Sequence, residues 1–410
     1  MNITVQKYGG TSVGDVERIG KVAARVARTV DEGRKVAVTV SAMGRTTDRL
    51  VSLAKEVTPR PSRRELDVLM ATGEQQSTAL LSMALHKLGV RARSFTGQQA
   101  GFLTDDFSGG ARIIEVNPAR ILDAFETDDV AVIAGFQGVD AALNITTLGR
   151  GGSDTTAVAV AAALGADTCD IYTDTEGIYT TDPHLVPSAK KLDAIDYEEM
   201  LELASLGAQV LHPRSVWYAR RYGVRVHVRS SFSYNPGTIV TDLGVTEREN
   251  RMKTDKPVTG VALDRSHARI YLSGVEDAPG VAAKVFSALG EANISVDMII
   301  QGVPGDGSRQ QMAFTLNQDA VTDALEVVKP ILAEVGGTAQ ADPDIAKLSI
   351  VGVAVGSTPG VAGRMFAAIA ETGTNIEMIA TSEVRVSVVL RADRAEEALR
   401  AVHKAFDLET

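Results

Sequence analysis

The sequence predicts an α/β fold: a three-layer αβα sandwich with a mainly parallel sheet, followed by two smaller βαββαβ modules. Two observations lead to this prediction. Short apolar runs alternate with long amphipathic stretches over residues 1–245, and a pattern that begins at Pro279 recurs at Pro359. Strands that alternate with helices pair in parallel and are covered by helices on both faces, whereas an internal repeat indicates a duplicated unit.

The apolar runs of the first part are expected to be strands: Ile3–Gln6, Lys35–Val40, Arg91–Phe95, Val130–Ala134, Thr168–Thr173 and Val224–Val228. The stretches between them are expected to be helices: Val16–Glu32, Arg63–Leu88, Pro118–Glu126, Asp154–Leu164, Tyr197–Leu206 and Pro213–Tyr222. Ser62 and Glu65 predict a capping box at the start of one helix. Ligands of such sheets bind at the carboxyl ends of the strands, so residues there are the first candidates for a site.

The second part of the chain contains the repeat. Pro279-Gly280-Val281-Ala282 recurs as Pro359-Gly360-Val361-Ala362, an offset of 80 residues. The same offset relates further pairs: Phe286 and Phe366, Glu291 and Glu371, Asp297 and Glu377, Met298 and Met378, Ile299 and Ile379. Each copy reads as strand, turn, helix, two strands and helix. The second copy ends too early for a final strand, so we expect Val258–Leu263 to complete its sheet. A duplicated module that only adds stability is the alternative to a ligand-binding role.

These patterns set the expected domain boundaries. Residues 1–245 form the first domain, and the polar, charge-dense residues 246–257 form a linker. The first module covers residues 258–340 and the second covers residues 341–410. Met252 lies in the linker, and an internal start there would produce a shorter chain that contains only the two modules.

Composition excludes several classes of function. Lys and Arg number 42 against 52 Asp and Glu, a net charge of -10, whereas a nucleic-acid-binding protein is more often basic. One cysteine, Cys169, and scattered histidines offer neither a disulfide nor a metal site. The N-terminus has no signal-peptide pattern, and no apolar run is long enough to span a membrane. We therefore expect a cytoplasmic protein with no nucleic-acid and no membrane partner.

Lys7-Tyr8-Gly9-Gly10-Thr11-Ser12 follows the first expected strand and precedes a helix. Glycines allow a ligand to approach the backbone, whose amides and helix N-terminus favour an anion, and Lys7 adds a positive charge. The chain has no Gly-x-x-x-x-Gly-Lys-Ser/Thr sequence, so this is not a P-loop of the common kind. A simple glycine turn beside a solvated lysine is the alternative.

Two further segments follow expected strands. Gly149-Arg150-Gly151-Gly152 offers an arginine fork for an anion, and Ser153-Asp154 is expected to cap and to charge the start of the next helix. A tight turn with a capped helix is the alternative there. Tyr172–Pro183 offers aromatic rings, hydroxyls and carboxylates after the Cys169 strand, or it is simply an acidic loop.

Taken together, these segments and Val40-Ser41-Ala42-Met43-Gly44 resemble the amino-acid kinase superfamily, and within it the aspartate kinase family. His212-Pro213, Arg229-Ser230-Ser231 and the repeat extend the resemblance over nearly the whole chain. The repeat is similar to the paired ACT modules of that family, which have a ferredoxin-like fold and bind end-product amino acids.

The resemblance implies phosphorylation of the L-aspartate side chain by ATP, with Mg²⁺ held mainly by the phosphates. The product is 4-phospho-L-aspartate, and its formation is the first step towards lysine, threonine and methionine. Lys7 and Asp154 would be catalytic. The implied ATP-binding residues are Lys7, Gly9, Gly10, Thr173, Asp174, Tyr179 and Asp182. The implied substrate-binding residues are Ser41, Thr47, Glu74, Phe136, Arg150 and Ser153.

The resemblance also implies feedback inhibition by threonine, lysine or both, and a homo-oligomer formed through the ACT modules, with which a shorter regulatory chain could assemble. The implied effector-binding residues are Asp277, Gly280, Ala282, Ile294, Asp297, Gln301, Asn375 and Ile376. The sequence departs from some family members at His184, where they carry an arginine, and at Phe232, where they carry a lysine.

The chemistry agrees with these roles. The attacking carboxylate has an ordinary pKa of about 3.9 and is ionised at neutral pH, so no general base is required. Arg150 can hold the other carboxylate and Glu74 the ammonium group. Lys7, the glycine amides and Mg²⁺ must offset the repulsion between the attacking carboxylate and the triphosphate. Asp154 is expected to order the site near Lys7 rather than to act as a base. Two alternative hypotheses remain: a kinase that acts on glutamate or carbamate, and a catalytically silent amino-acid sensor.

Overall fold

The computed structural model describes residues 2–208, 210–244, 257–302 and 309–409. Most of the expected linker, including Met252, lies outside these residues. The chain divides into two compact units. The first comprises Met1–Tyr179, Lys191–Ser205 and Gln209–Glu247, and the second comprises Thr180–Lys190, Leu206–Ala208 and Arg248–Thr410. The units are therefore not two consecutive lengths of chain, because Thr180–Lys190 and Leu206–Ala208 group with the C-terminal part.

The first unit is built on a long sheet and a short one. Its strands are β1 (Ile3–Tyr8), β2 (Lys35–Val40), β3 (Ala92–Phe95), β4 (Phe102–Thr104), β5 (Ile113–Val116), β6 (Val130–Ala134), β7 (Gln137–Val139), β8 (Ile145–Thr147), β9 (Thr168–Thr173), β10 (Ala194–Asp196), β11 (Arg225–Ser230) and β12 (Thr238–Thr241). The long sheet has the order β10-β12-β11-β9-β1-β2-β6-β3. All of its neighbouring strands run parallel except β11 and β12. The short sheet has the order β5-β4-β7-β8.

Helices cover both faces of the long sheet, which confirms the three-layer prediction. They are α1 (Val16–Asp31), α2 (Thr46–Val57), α3 (Arg63–Lys87), α4 (Ala119–Phe125), α5 (Gly152–Leu164), α6 (Tyr197–Ser205) and α7 (Pro213–Tyr222). α1 and α3 pack on the face that carries Tyr8, Val36, Val38 and Val40. α5 packs on the other face against β1, β2 and β9. Its first turns are buried all round because α7 covers their outer side.

The strands and helices expected in the first unit are present within two residues of their expected ends. Two expected caps are wrong. Ser62 precedes α3, but its side chain makes no capping hydrogen bond, and Glu65 instead pairs with Arg64. Gly151 in a left-handed conformation, rather than Ser153-Asp154, is the N-cap of α5, although Asp154 does place a negative charge in the first turn as expected.

The second unit contains two four-stranded antiparallel sheets. Its elements are β13 (Gly260–Asp264), β14 (His267–Glu276), α8 (Val281–Glu291), β15 (Ile299–Gln301), β16 (Arg309–Asn317), α9 (Val321–Val335), β17 (Thr338–Asp342), β18 (Ile345–Val351), α10 (Val361–Glu371), β19 (Met378–Thr381), β20 (Arg385–Arg391) and α11 (Ala395–Ala405). The sheet orders are β15-β16-β14-β17 and β13-β18-β20-β19. β13 pairs with β18, so the strand before the first copy lies in the sheet of the second copy. It occupies there the place that β17 has in the first.

The two sheets share one apolar cluster. Met298 and Met378, which the repeat relates, pack together with Ala313, Ile345 and Val389. The two copies are therefore joined by side chains that both of them supply. No helix among the described residues is long and apolar enough to cross a membrane.

Candidate active site

The centre of the candidate site is an ion pair between Lys7 and Asp154. Lys7 is the next-to-last residue of β1, and strand alternation turns its side chain to the face covered by α5. Asp154 lies in the first turn of α5, and its Oδ1 is 2.5 Å from Lys7 Nζ. Both side chains are nearly buried, at 11% and 12% exposure. A buried ammonium group requires such a partner, which also fixes its position.

The first glycine turn lies beside this ammonium group. A Cβ atom on Gly9 would lie 3.5 Å from Lys7 Nζ, and Gly9 N donates to the carbonyl of Tyr172 at 3.3 Å. A Cβ atom on Gly10 would come within 2.9 Å of the carbonyl oxygen of Ala42. That contact is with backbone, so no rotamer change relieves it and position 10 must be glycine. The turn is thus fixed between the carboxyl ends of β9 and β2.

The second glycine loop is held between two side chains. Gly151 has a φ of 67°, and a Cβ atom there would overlap His212. A Cβ atom on Gly152 would lie 2.8 Å from the ring of Phe136. Phe136 itself has a φ of 69°, and its N donates to Thr156 Oγ1 at 3.1 Å. Positive φ is uncommon for such a residue, and strained backbone of this kind concentrates at functional sites.

Glu74 is a buried carboxylate with one free oxygen. It lies within α3 at 3% exposure, and its Oε1 accepts a hydrogen bond from Ala42 N at 3.0 Å. Its Oε2 is buried and accepts no hydrogen bond from the described residues. Burial raises the pKa of Glu74 from 4.5 to about 7, although the hydrogen bond from Ala42 opposes the rise. Buried polar atoms nearly always have a partner, so this unpaired oxygen is suited to bind a cationic group of a ligand.

Three smaller polar residues stand at the same carboxyl edge of the sheet. Ser41 follows β2, is half-buried, and its N donates to the carbonyl of Tyr8 at 3.1 Å. Thr47 is half-buried in the first turn of α2. Ser153 is buried, and its Oγ would lie 2.7 Å from a Cβ atom on Gly135, which follows β6. The structure therefore brings these residues to the strand ends that also carry the two glycine loops.

His212 is a residue of the site to which the sequence assigned no role. Burial lowers its pKa, Arg214 and Arg150 add to this effect, and Asp154 opposes it. Its Nδ1 accepts a hydrogen bond from Arg214 N at 3.2 Å, so the neutral ring carries its proton on Nε2. His212 is the N-cap of α7 with Pro213 in the first helical position. The His-Pro pair is the sequence signal that could have located this residue, because proline is common at the first position of a helix.

Arg150 itself is exposed on the second glycine loop. It directly precedes Gly151, where a Cβ atom would overlap His212. Arg150 is the most exposed of the residues expected around the substrate. A charged group at the surface can attract a ligand of opposite charge before it binds.

The residues expected at the nucleotide divide between the two units. Thr173 and Asp174 end and follow β9, and the Thr173 hydroxyl donates to Asp174 Oδ1 at 3.2 Å. Tyr179 is half-buried, and burial raises its pKa. These three belong to the unit that holds Lys7. Asp182 belongs to the second unit, is exposed, and accepts a hydrogen bond from His184 N at 2.9 Å.

The two positions of departure are both exposed. His184 follows Asp182 in an exposed loop. Phe232 is 56% exposed, and the guanidinium of Arg18 lies 5.8 Å from its ring centroid. Position 232 supplies no charge of its own, but an arginine from α1 stands beside it. Across the described residues, no group of three or more His, Cys, Asp or Glu side chains is arranged to hold a metal ion.

The expected effector residues lie in the second unit. Asp277, Gly280 and Ala282 are at the turn before α8 and in its first turn, and Asn375 and Ile376 precede β19. Ile294 is part of the buried core of the first copy. Gln301 ends the edge strand β15 and hydrogen-bonds Gln310.

Asp297 differs from these residues because it already has a charged partner. Its Oδ2 is 2.5 Å from Nζ of Lys347, a residue of the second copy that is only 3% exposed. The same ammonium group is 3.9 Å from Asp264. Arg269 of the first copy forms the reciprocal contact with Glu377 of the second, at 2.8 Å. The repeat-related acids at 297 and 377 thus each bind a cation of the other copy.

Comparison with known proteins agrees with this architecture. The model of the amino acid kinase family matches residues 2–230, and two ACT domain models match residues 270–333 and 348–406. An aspartokinase of Thermus thermophilus is 63% identical over 410 residues and covers all of both chains. An aspartokinase of Mycolicibacterium smegmatis is 48% identical over 411 residues, which is all of this chain and 97% of that one.

Solved structures are similar over the same length. E. coli aspartokinase III in complex with aspartate and ADP, in the R-state, matches with a TM-score of 0.80 at 27% identity, covering 99% of both chains. The same enzyme in complex with lysine and aspartate, in the T-state, matches with a TM-score of 0.74 at 28% identity, covering 98% of this chain and 99% of that one. The fold and these matches define a phosphotransferase of the amino acid kinase class. Within that family, the chain belongs to the aspartokinases.

Proposed function

We propose that this chain transfers the γ-phosphoryl group of ATP to the side-chain carboxylate of L-aspartate and forms 4-phospho-L-aspartate, the first step towards lysine, threonine and methionine. The observation that carries the proposal is the buried Lys7–Asp154 pair beside the first glycine turn. The free oxygen of Glu74 at the same edge supports an amino-acid acceptor. The aspartokinases that match the full chain support aspartate in particular.

The nucleotide would bind at the first glycine turn. Lys7 and the amide of Gly10 are suited to the phosphate oxygens. The Gly9 amide is already bonded to the carbonyl of Tyr172, but Gly9 places no side chain beside Lys7 Nζ, so a phosphate can approach the ammonium group there. The remaining proposed contacts are Thr173, Asp174, Tyr179 and Asp182. E. coli aspartokinase III binds aspartate and ADP in a fold similar to this one, which supports a shared site.

Magnesium would be held mainly by the phosphate oxygens, because the described residues offer no carboxylate cage. When bound, it would neutralise part of the phosphate charge.

The amino acid would bind through the two charged groups on its α-carbon. Glu74 Oε2 is suited to the α-ammonium group, and the fork of Arg150 is suited to the α-carboxylate. The other proposed contacts are Ser41, Thr47, Phe136 and Ser153. The side-chain carboxylate is then left unpaired, as an attacking group must be.

In the reaction, an oxygen of the ionised side-chain carboxylate forms a bond to the γ-phosphorus. The bond from that phosphorus to the β,γ-bridging oxygen breaks, and ADP leaves with the electron pair. No proton is transferred, so Asp154 acts as the partner that positions Lys7 and not as a base. The step requires that two anions be held together, and the cationic groups of the site lower that repulsion.

A direct test is an ATP-consumption assay with L-aspartate, L-glutamate and L-homoserine as acceptors. We expect ATP to be consumed with L-aspartate as the acceptor and not with L-glutamate or L-homoserine. A preference for L-glutamate would assign the chain to another acceptor within the same family. No turnover with any acceptor, from protein that binds an amino acid, would make it a silent sensor.

The ACT modules are proposed to bind threonine, lysine or both and to inhibit the kinase. The proposed contacts are Asp277, Gly280, Ala282, Ile294, Asp297, Gln301, Asn375 and Ile376. An effector ammonium group at Asp297 would compete with Lys347, so binding would change a contact between the two copies. E. coli aspartokinase III is known with lysine in a T-state, which supports regulation of this kind. Threonine and lysine added to the assay above test it.

The proposed domains are residues 1–245, 258–340 and 341–410, with a linker at 246–257. A homo-oligomer formed through the ACT modules is proposed as the assembly, with or without a shorter regulatory chain that starts near Met252. Mass analysis of natively expressed protein would detect that shorter chain. Detection of the full-length species alone would remove it from the proposal.

A further inference from the structure

A second cavity in the first unit lies on the face of the sheet opposite Lys7. Gln6 lines this cavity, and Lys7, the next residue of β1, points to the other face because neighbouring side chains of a strand alternate. The cavity has a volume of about 220 Å³. Four arginines line it: Arg25 and Arg28 of α1, Arg34, and Arg229 of β11. It is therefore separate from the candidate active site and is strongly basic.

The hydrogen bonds of these arginines go to uncharged groups. Arg25 is only 7% exposed and donates to the carbonyl oxygens of Ser231 and Ser233 at 3.3 Å and 2.7 Å. Arg34 donates to a threonine hydroxyl at 3.0 Å. Arg229 donates to the Tyr172 hydroxyl at 3.5 Å, and its buried Nε has no partner. None of the four pairs with a carboxylate within the part of the chain that the structure describes.

The arginines are also close to one another. The guanidinium carbons of Arg25 and Arg28 lie 4.2 Å and 4.5 Å from the same ring centroid, that of Tyr234. Those of Arg25 and Arg229 lie 4.9 Å and 5.7 Å from the Tyr172 ring centroid. Aromatic faces stabilise such cations but do not neutralise them. Like charges gathered in one cavity repel unless an anion lies between them.

The carboxylates of the cavity do not balance this charge. They are Asp170, which is 3.1 Å from His227 Nδ1, and Glu32, which is exposed. Four guanidinium groups therefore face two carboxylates, an excess of two positive charges. A ligand that carries two negative charges would remove that excess.

We propose that this cavity is a binding site for a phosphate group in its dianionic form, either free phosphate or the phosphate of a small monoester. Guanidinium forks match phosphate oxygens in pairs, and the unpartnered Nε of Arg229 supplies a donor that is already desolvated. The ring of Tyr234, 59% exposed at the rim, can cover the organic part of an ester.

The site adjoins the proposed nucleotide loop without being part of it. Arg25 donates a hydrogen bond to the carbonyl of Ser231, and Ser231 N donates to the carbonyl of Thr173 at 2.8 Å. A phosphate at Arg25 would therefore bind next to the segment that ends β9, but on the other side of the sheet from Lys7.

The test measures binding to the full-length protein by isothermal titration calorimetry at constant ionic strength. The ligands are inorganic phosphate, glycerol 3-phosphate, and succinate as a dianion without phosphate. The test variant is Arg28→Gln/Arg34→Gln, since both side chains are exposed and their loss leaves the core intact. The matched control is Lys21→Gln/Lys55→Gln, which makes the same charge change at other exposed positions. Phosphate bound near Lys7 would contribute equally to both variants.

The expected result is that both phosphate ligands bind the control as they bind the unmodified protein. They should bind Arg28→Gln/Arg34→Gln at least roughly tenfold more weakly, because two of four cations are lost. Tighter binding of glycerol 3-phosphate than of inorganic phosphate would identify an ester as the ligand, and equal binding would identify free phosphate. Equal dissociation constants for the two double variants, or succinate binding as tightly as phosphate, would overturn the proposal.

Discussion

Replacing Glu74 by Gln tests the proposed amino-acid contact, because it removes the charge and keeps the shape. The hydrogen bond from Ala42 N at 3.0 Å can be kept, since the amide of Gln also has an oxygen. Only the free Oε2 changes, from a carboxylate oxygen to an NH₂ group that cannot accept from an ammonium. Loss of one partner of a buried charge pair costs about 3 kcal/mol, roughly a hundredfold in binding. We expect the KM for L-aspartate to rise by roughly that factor, with the KM for ATP nearly unchanged.

The pKa of Glu74 adds a second, independent expectation. With a pKa of about 7 in the folded protein and 4.5 ordinarily, the folded state holds this proton more tightly than the unfolded state. Stability therefore falls as pH rises from 4.5 to about 7 and stays lower above it. A rise of this size corresponds to about 3 kcal/mol. Without aspartate, Glu74→Gln should be more stable than the wild type at pH 8 by up to that amount, and the difference should vanish near pH 4.

Both expectations are measured with the same two proteins. Steady-state kinetics between pH 6 and 8.5 should show kcat/KM for aspartate rising through a pKa near 7 in the wild type and not in Glu74→Gln. Thermal unfolding at several pH values gives the stability difference. Glu65→Gln is the control, since Glu65 lies on the same helix but is exposed. An aspartate KM within twofold of wild type in Glu74→Gln would refute the assignment.

Other substitutions test the remaining groups. Lys7→Ala should lower kcat by at least roughly a thousandfold while circular dichroism shows a folded protein, because the phosphoryl charge loses its buried cation; wild-type kcat would remove Lys7 from the reaction. Arg150→Lys should raise the KM for aspartate roughly tenfold and leave that for ATP alone, since the fork is lost; an unchanged aspartate KM contradicts this role. Asp297→Ala should weaken inhibition by threonine or lysine at unchanged kcat, and intact inhibition would show that the effector binds elsewhere.

Much of the fold was predictable because its central strands are buried on both faces. Val130–Ala134 is a continuous apolar run, and Lys35–Val40 is apolar except for Lys35 and Thr39. The structure gives β6 and β2 the same bounds. The short sheet was missed because its strands, such as Gln137–Val139, are only three or four residues long. So short a run carries too little periodicity to be told from a loop.

The loops of the site were predictable, but not all of their neighbours. Glycine-rich turns after strands are local signals, and Lys7 and Asp154 lie close to two of them in the sequence. The contact of Gly151 with His212 joins residues far apart in the chain, so only the packing of α7 on α5 reveals it. In the same way, the fold gives Asp297 a partner in Lys347 that no local pattern indicates. Asp182 lies in the second unit because the chain crosses between the units more than once.

The most direct test of the proposed active site is a crystal structure of this protein with L-aspartate and ADP bound. We expect Lys7 Nζ to lie about 3 Å from a phosphate oxygen and Glu74 Oε2 to lie about 3 Å from the aspartate ammonium group. The side-chain carboxylate should point from there towards the phosphates. Aspartate bound away from Glu74, or a nucleotide whose phosphates do not approach Lys7, would contradict it.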